Sequence, residues 1–242
     1  MAKGAVRTAI ALTLAMPAAA QDFTPGRPGA TDSPVAVAPG RFQLETELAG
    51  FGSEQGERSF SVLSTVFRYG LGGGFDAEVG VSPFLFEGRV QGFGDTMIRV
   101  RKQFTGFDDG PAFALIGYLT IPTSSNGLGA DKVDGGLTAT GSTKFSEGFG
   151  LTATGTIGTL HSDSGTQAQF AGALSLDHEL SESSAAFLEV FAEHAEGETP
   201  TSFSFGLTHL VNSETQIDIS SDIGLNGPAE DFRIAIGFAH RF

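Results

Sequence analysis

Cysteine and tryptophan are absent from the 242 residues, and tyrosine occurs only as Tyr69 and Tyr118. Without thiols there can be no disulfide and no thiolate metal site, so an exported fold must hold by packing and hydrogen bonding alone. Basic residues are scarce, 14 Lys and Arg against 28 Asp and Glu, and the formal charge is −14. That balance argues against nucleic-acid binding and against attraction to an anionic surface. Long apolar runs are missing too: no stretch approaches the roughly twenty residues of a membrane helix. Apolar residues nowhere recur at helical spacing for three turns.

What is present begins with an export pattern. Lys3 and Arg7 precede an apolar run from Ala9 to Met16, then Pro17 and the small residues Ala18-Ala19-Ala20. This reads as a signal peptide over residues 1–20. Its removal takes away two positive charges and brings the formal charge from −14 to −16. Residues 21–40, rich in Pro, Gly and Ala, read as an extended periplasmic lead-in, and residues 41–242 as one barrel domain.

From Arg41 onward the chain alternates with period two. At the C-terminus Phe232, Ile234, Ile236, Phe238, His240 and Phe242 share one face, against Arg233, Ala235, Gly237, Ala239 and Arg241 on the other. Alternation of this kind is that of strands with one apolar face. Twelve strands follow, near 41–50, 59–69, 75–82, 95–104, 112–121, 135–145, 149–160, 167–180, 185–194, 201–210, 215–225 and 232–242. Compact connections, as at 70–74 and 211–214, alternate with mostly longer ones at 52–58, 83–94 and 122–134.

A soluble sandwich also alternates. Here, however, strand follows strand through short links, their number is even, and the non-apolar face carries charge in mid-strand. The fold expected is therefore all-β: a transmembrane antiparallel up-and-down β-barrel of about 12 strands, apolar outside and wet inside. Terminal Phe242, on one face with Phe238, reads as a signal for the outer-membrane barrel-assembly machinery. The bacterial outer membrane and its lipid are the expected surroundings.

The residues Arg27-Pro28-Gly29, Thr31-Asp32-Ser33-Pro34 and Ala38-Pro39-Gly40, leading into Phe42-Gln43-Leu44-Glu45, form a recognisable N-terminal signature. Arg68-Tyr69-Gly70-Leu71, Gly92-Phe93-Gly94-Asp95 and Leu119-Thr120-Ile121-Pro122-Thr123 follow in order. Together they resemble the family called putative meta-pathway of phenol degradation, predicted outer-membrane transporters. Gly29 and Ser124 depart from its pattern. The resemblance implies a transporter-type barrel and leaves the solute open.

Candidate site residues come from inward parity. A turn near Gly72 would set Arg68 opposite Asp76, and the next connection Glu78 opposite Arg99 and Asp76 opposite Arg101. Asp222 would lie near Arg233, and Glu45 or Glu47 near Arg241 across the closing seam; Asp218 completes the set. Such a network either braces the lumen or makes a transverse field that sorts small-molecule solutes by charge. Small inward residues, Ala171, Ala173, Gly136 and Gly237, point to open space. The readings carried forward are a channel for small, neutral or cationic solutes, hydrophobic or aromatic ones included, and a structural barrel plugged by side chains or by the lead-in. An outer-membrane hydrolase is the weakest: His161 beside Ser162, Asp163 and Ser164 is its one local cluster, and no Gly-x-Ser-x-Gly, His-Glu-x-x-His or complete phosphate loop occurs. No enzymatic activity, cofactor, metal or nucleic-acid partner is expected.

Overall fold

The computed structural model describes residues 23–106, 110–162 and 165–242, apart from the side chain of Ser162. The signal-peptide reading lies outside these residues, as do Asp163 and Ser164 of the histidine cluster.

Fourteen strands follow one another: β1 (Phe42–Glu54), β2 (Glu57–Gly72), β3 (Phe75–Val81), β4 (Phe84–Glu87), β5 (Val90–Gly92), β6 (Thr96–Thr105), β7 (Ala112–Ile121), β8 (Asp134–Ser146), β9 (Phe149–Ser162), β10 (Gly165–Ser181), β11 (Ser184–His194), β12 (Thr201–Asn212), β13 (Thr215–Gly224) and β14 (Phe232–Arg241). Twelve of them, all except β4 and β5, form a closed antiparallel barrel: each pairs with its chain neighbours, and β1 pairs with both β2 and β14. Closure leaves the twelve barrel strands paired on both sides, and the short β5, which pairs with β4, is the one open edge among the described strands. Among the described residues there is no α-helix.

Sixteen-residue β2 outruns β3, and this is where the sequence reading needs correction. The stretch 83–94, read as a loop, contains the β4–β5 hairpin, in which β4 continues the line of β3 along the far half of β2. Likewise 52–58 is mostly strand, with Gln55 and Gly56 alone left to turn between β1 and β2. The charged residues in these stretches interrupt the apolar alternation, but the backbone pairs regardless. The loop 122–133 then binds this extension: Asp95 accepts from the amides of Thr123, Ser124 and Ala130, and Ser125 bonds Phe93.

The burial pattern is that of an inverted globule. Leu207, Ile157 and Ile236 are exposed on the outside, whereas Arg68, Asp76, Glu78, Arg101, Gln103 and Glu189 are buried inside. Apolar side chains outward and charge inward is the arrangement for a wall standing in lipid. A bulge between Glu47 and Ala49 shifts the β1–β14 register. It passes the inward position from Gln43, Glu45 and Glu47 to Gly50 and Gly52.

Candidate functional site: a lumen occupied by the N-terminal segment

Residues 23–40 do not trail outside the barrel. They enter at the short-turn end, cross the lumen at mid-height and return to the start of β1. Along this course the inward-facing side chains bind the segment one after another. Glu45 accepts from the Gly26 amide at 2.8 Å, and Asp218 takes the Arg27 guanidinium at 3.0–3.3 Å. At the apex, Glu189 in the middle of β11 accepts from two consecutive amides, Ala30 at 2.7 Å and Thr31 at 2.8 Å. Asp32 then meets Thr154 of β9, Thr140 of β8 and Arg99 of β6. On the return, Arg101 donates to the carbonyl of Ser33 and Arg68 to that of Val35; Gln103 and Asp76 accept from the amides of Ala36 and Val37 at 2.9 Å.

This answers a backbone problem. An irregular segment has no ladder partner for its amides and carbonyls, and buried ones must be bonded. The proline-rich sequence cannot join the sheet, so the wall supplies carboxylates for its N–H groups and guanidinium groups for its carbonyls. The wall is also carved to admit it. At Gly70 a Cβ would strike the carbonyls of Val37 and Ala38, and at Gly237 it would strike the Arg27 guanidinium. The small residue at 237, read as open space, is therefore filled by Arg27. Gly136 is filled in the same way by the Tyr118 ring.

The charged network is tighter than register alone suggested, and partly different. Glu78 lies opposite Arg99 and Asp76 opposite Arg101. Arg68, however, lies opposite Glu78 rather than Asp76. The reason is local: Gly72, Gly73 and Gly74 all have positive φ, which moves the turn centre one residue along. Arg68 still reaches Asp76 diagonally at 2.7 Å, and Glu45 at 2.9 Å; Arg101 holds Glu78 at 2.7 Å. Across the closing seam Glu45 faces Ala239, Glu47 faces Gly237, and Arg241 faces Gln43. Neither glutamate meets Arg241, because no turn joins β1 to β14 and the seam register follows instead from closure, with Phe242 N donating to Phe42 O.

Arg233 is opposite Asp222 in the ladder but forms its ion pair with Glu47, at 2.6 Å. Arg241 instead binds Glu214 of the β12–β13 turn at 2.6 Å. That hydrogen bond, with the charge of Arg241 and Arg41, holds the Glu214 carboxyl below the usual carboxylate range. Phe238 lies on the outward row of β14, and Phe242 is exposed at its end.

A family model described as "Putative MetA-pathway of phenol degradation" matches residues 25–242. The chain belongs to that family. The match takes in the inner segment as well as the wall. Among solved structures, the chain is similar to the COG4313 outer membrane channel from Pseudomonas putida F1, with TM-score 0.65, 15% identity, and 89% of this chain and 99% of that one covered. A NanC porin follows at TM-score 0.58, 10% identity and coverage of 82% and 98%. The CymD monoaromatic hydrocarbon channel has TM-score 0.50, 10% identity and coverage of 85% and 89%. At these identities the likeness is one of fold, that of outer-membrane barrels. No curated protein matches.

In this phenol-degradation family member the remaining polar groups divide unevenly around the lumen. Inward arginines of the wall sit on β2, β6 and β14, where they are engaged by carboxylates or by the inner segment. The strands from β7 to β12 carry one Lys or Arg, Lys144, which is paired at the rim with Glu179. Their other carboxylates are Asp134, Asp177, Glu189 and Glu193. Asp134 accepts from His161 at 2.6 Å, and Glu193 from Gln169 at 2.7 Å. Among the described residues no group of three or more His, Asp or Glu could hold a metal ion. At the long-loop end Glu230 bonds Ser59 at 3.1 Å, and burial pushes its carboxyl above the usual range.

The Glu189 clamp gives a direct prediction. Two hydrogen bonds to a charged acceptor are worth about 1.5–3 kcal/mol each, so Glu189→Ala should free the apex of the segment while Glu189→Gln, keeping one acceptor, should free it partly. Because the chain has no cysteine, Thr31→Cys provides a unique label. Its reaction with a soluble maleimide should be slow in the parent, faster with E189Q and fastest with E189A. Equal rates in all three would contradict the clamp.

Proposed function

We propose that the chain is a channel of the bacterial outer membrane for small neutral or cationic solutes, narrowed by its own N-terminal segment. The observation that carries this reading is the division of charge. Arginines on β2, β6 and β14 are consumed in ion pairs and in carbonyl bonds to the segment, whereas Asp177, Glu189 and Glu193 of the β10–β11 wall meet neutral hydrogen-bond donors and keep their negative charge. An aqueous path lined by uncompensated acids raises the local concentration of cations and repels anions. Neutral solutes pass without that bias, and an aromatic ring on the solute accords with the family description. The reading assigns no catalytic step.

By the usual arrangement the end with short turns and both chain ends faces the periplasm. Phe238 and Phe242 then stand at the periplasmic rim, where an assembly machinery would read them.

Single-channel recording across a potassium chloride gradient tests the reading. The expected result is a small conductance with a reversal potential on the cation-selective side. Anion preference would overturn the charge argument. A second reading, a sealed structural barrel, is favoured by the dense bonding of residues 26–37 to the wall; complete absence of conductance, with and without the segment, would establish it.

A further inference from the structure

Between the inner segment and the β8–β13 wall, at the short-turn end, lies a recess of about 470 Å³. Hydroxyls of Ser142, Thr152, Ser175 and Thr208 line it, together with Asp177 and Phe187. Asp177 and Phe187 are register partners on β10 and β11 and stand side by side on the inner face. Their neighbours across the ladder are Gly150 on one side and Gly206 on the other, so nothing bulky flanks the pair. The Phe187 ring occupies the space over Gly206, which fixes it against the wall.

Asp177 is otherwise little engaged. Its hydrogen bond is from Ser175 Oγ at 3.4 Å, and no ion pair reaches it among the described residues. Arg27, which lines the same recess, is committed to Asp218 through two nitrogens. Glu179 nearer the rim is paired with Lys144. A carboxylate without a counter-ion, lining one cavity with a fixed aromatic ring, is the arrangement that favours an organic cation. The charge is met by the carboxylate and by the ring quadrupole, and the hydroxyls take any polar substituent. An anion would meet repulsion there. A neutral solute would gain only the hydroxyls.

We propose that Asp177 and Phe187 form a binding subsite for a small organic ammonium compound on the short-turn side of the segment. The proposal rests on the channel reading for how such a solute arrives, but binding itself does not require conduction, so the two can fail separately. The test is calorimetric titration of the full chain, folded in detergent, with tetramethylammonium chloride, and with neopentyl alcohol as the neutral counterpart of similar shape. Saturable binding of the cation and much weaker binding of the alcohol are expected. D177N should weaken the cation at least about ten-fold, F187L should weaken it a few-fold, and E193Q, outside the recess, should leave it unchanged. F187L keeps the test decisive if D177N does not fold. Equal binding of the alcohol, no saturable binding of the cation, or an equal loss in E193Q would overturn the subsite. Loss of conductance with binding intact would overturn the channel and leave the subsite standing.

Discussion

Deleting residues 24–37 should leave a folded barrel with a several-fold larger single-channel conductance than the full chain. The barrel's own ladders involve none of these residues: every strand pairs with its chain neighbours, and β1 with β14. The segment instead contributes hydrogen bonds to Glu45, Asp76, Gln103, Glu189 and Asp218, all of which water can replace once the lumen is open. Twelve staves lie between the roughly eight that side chains fill and the roughly sixteen that leave a wide channel, so the segment occupies space that would otherwise conduct. Selectivity should change with size. The deletion uncovers Arg99, Arg101 and Arg68, which now bind Asp32 and the carbonyls of Ser33 and Val35, together with Glu189 and Asp218; the wider lumen holds these charges farther from a passing ion, and cation preference should weaken. An unchanged conductance would show that the segment stands outside the conducting path.

Replacing Asp76 by Ala should be the most destabilising single change in the lumen. Asp76 is fully buried; it bonds Arg68 at 2.7 Å and the Val37 amide at 2.9 Å, and lies 3.8 Å from Arg101 Nε. Removing one partner from a buried ionic cluster strands the others, at a typical cost of about 3–5 kcal/mol. Here the lower end is expected, because Glu45 and Glu78 still face the two guanidinium groups and lumen water can enter. Asp76→Asn keeps the volume and the acceptor for Val37 and should lose less. Urea unfolding in detergent, followed by circular dichroism, measures both. Parent-like stability in D76A would show that the cluster adds nothing to the barrel's hold.

The wall was legible in the sequence because strand parity is a local property. Asp218 announces itself by standing between Ile217 and Ile219, Arg233 by standing between Phe232 and Ile234, and each short polar link marks a hairpin. The β4–β5 hairpin was not, because Arg89 and Glu87 break the apolar alternation on which the reading depends. The register of Arg68 was missed by two residues, since three consecutive glycines leave the turn centre to backbone geometry. At the β1–β14 seam no turn exists to count from.

The N-terminal segment marks the boundary most clearly. Its prolines and glycines determined that residues 23–40 would be neither helix nor strand, and the alternation from Arg41 onward determined a barrel with charge on the inside. Neither determined that the charge was there to hold the segment. Gly70, Gly237 and Glu189 lie far from it along the chain, and a small inward residue looks the same in sequence whether it borders water or makes room for Arg27. That distinction was decided only by closure of the barrel. Closure brings β2, β11 and β14 around one lumen and leaves an irregular backbone there that must find a partner for every buried amide and carbonyl.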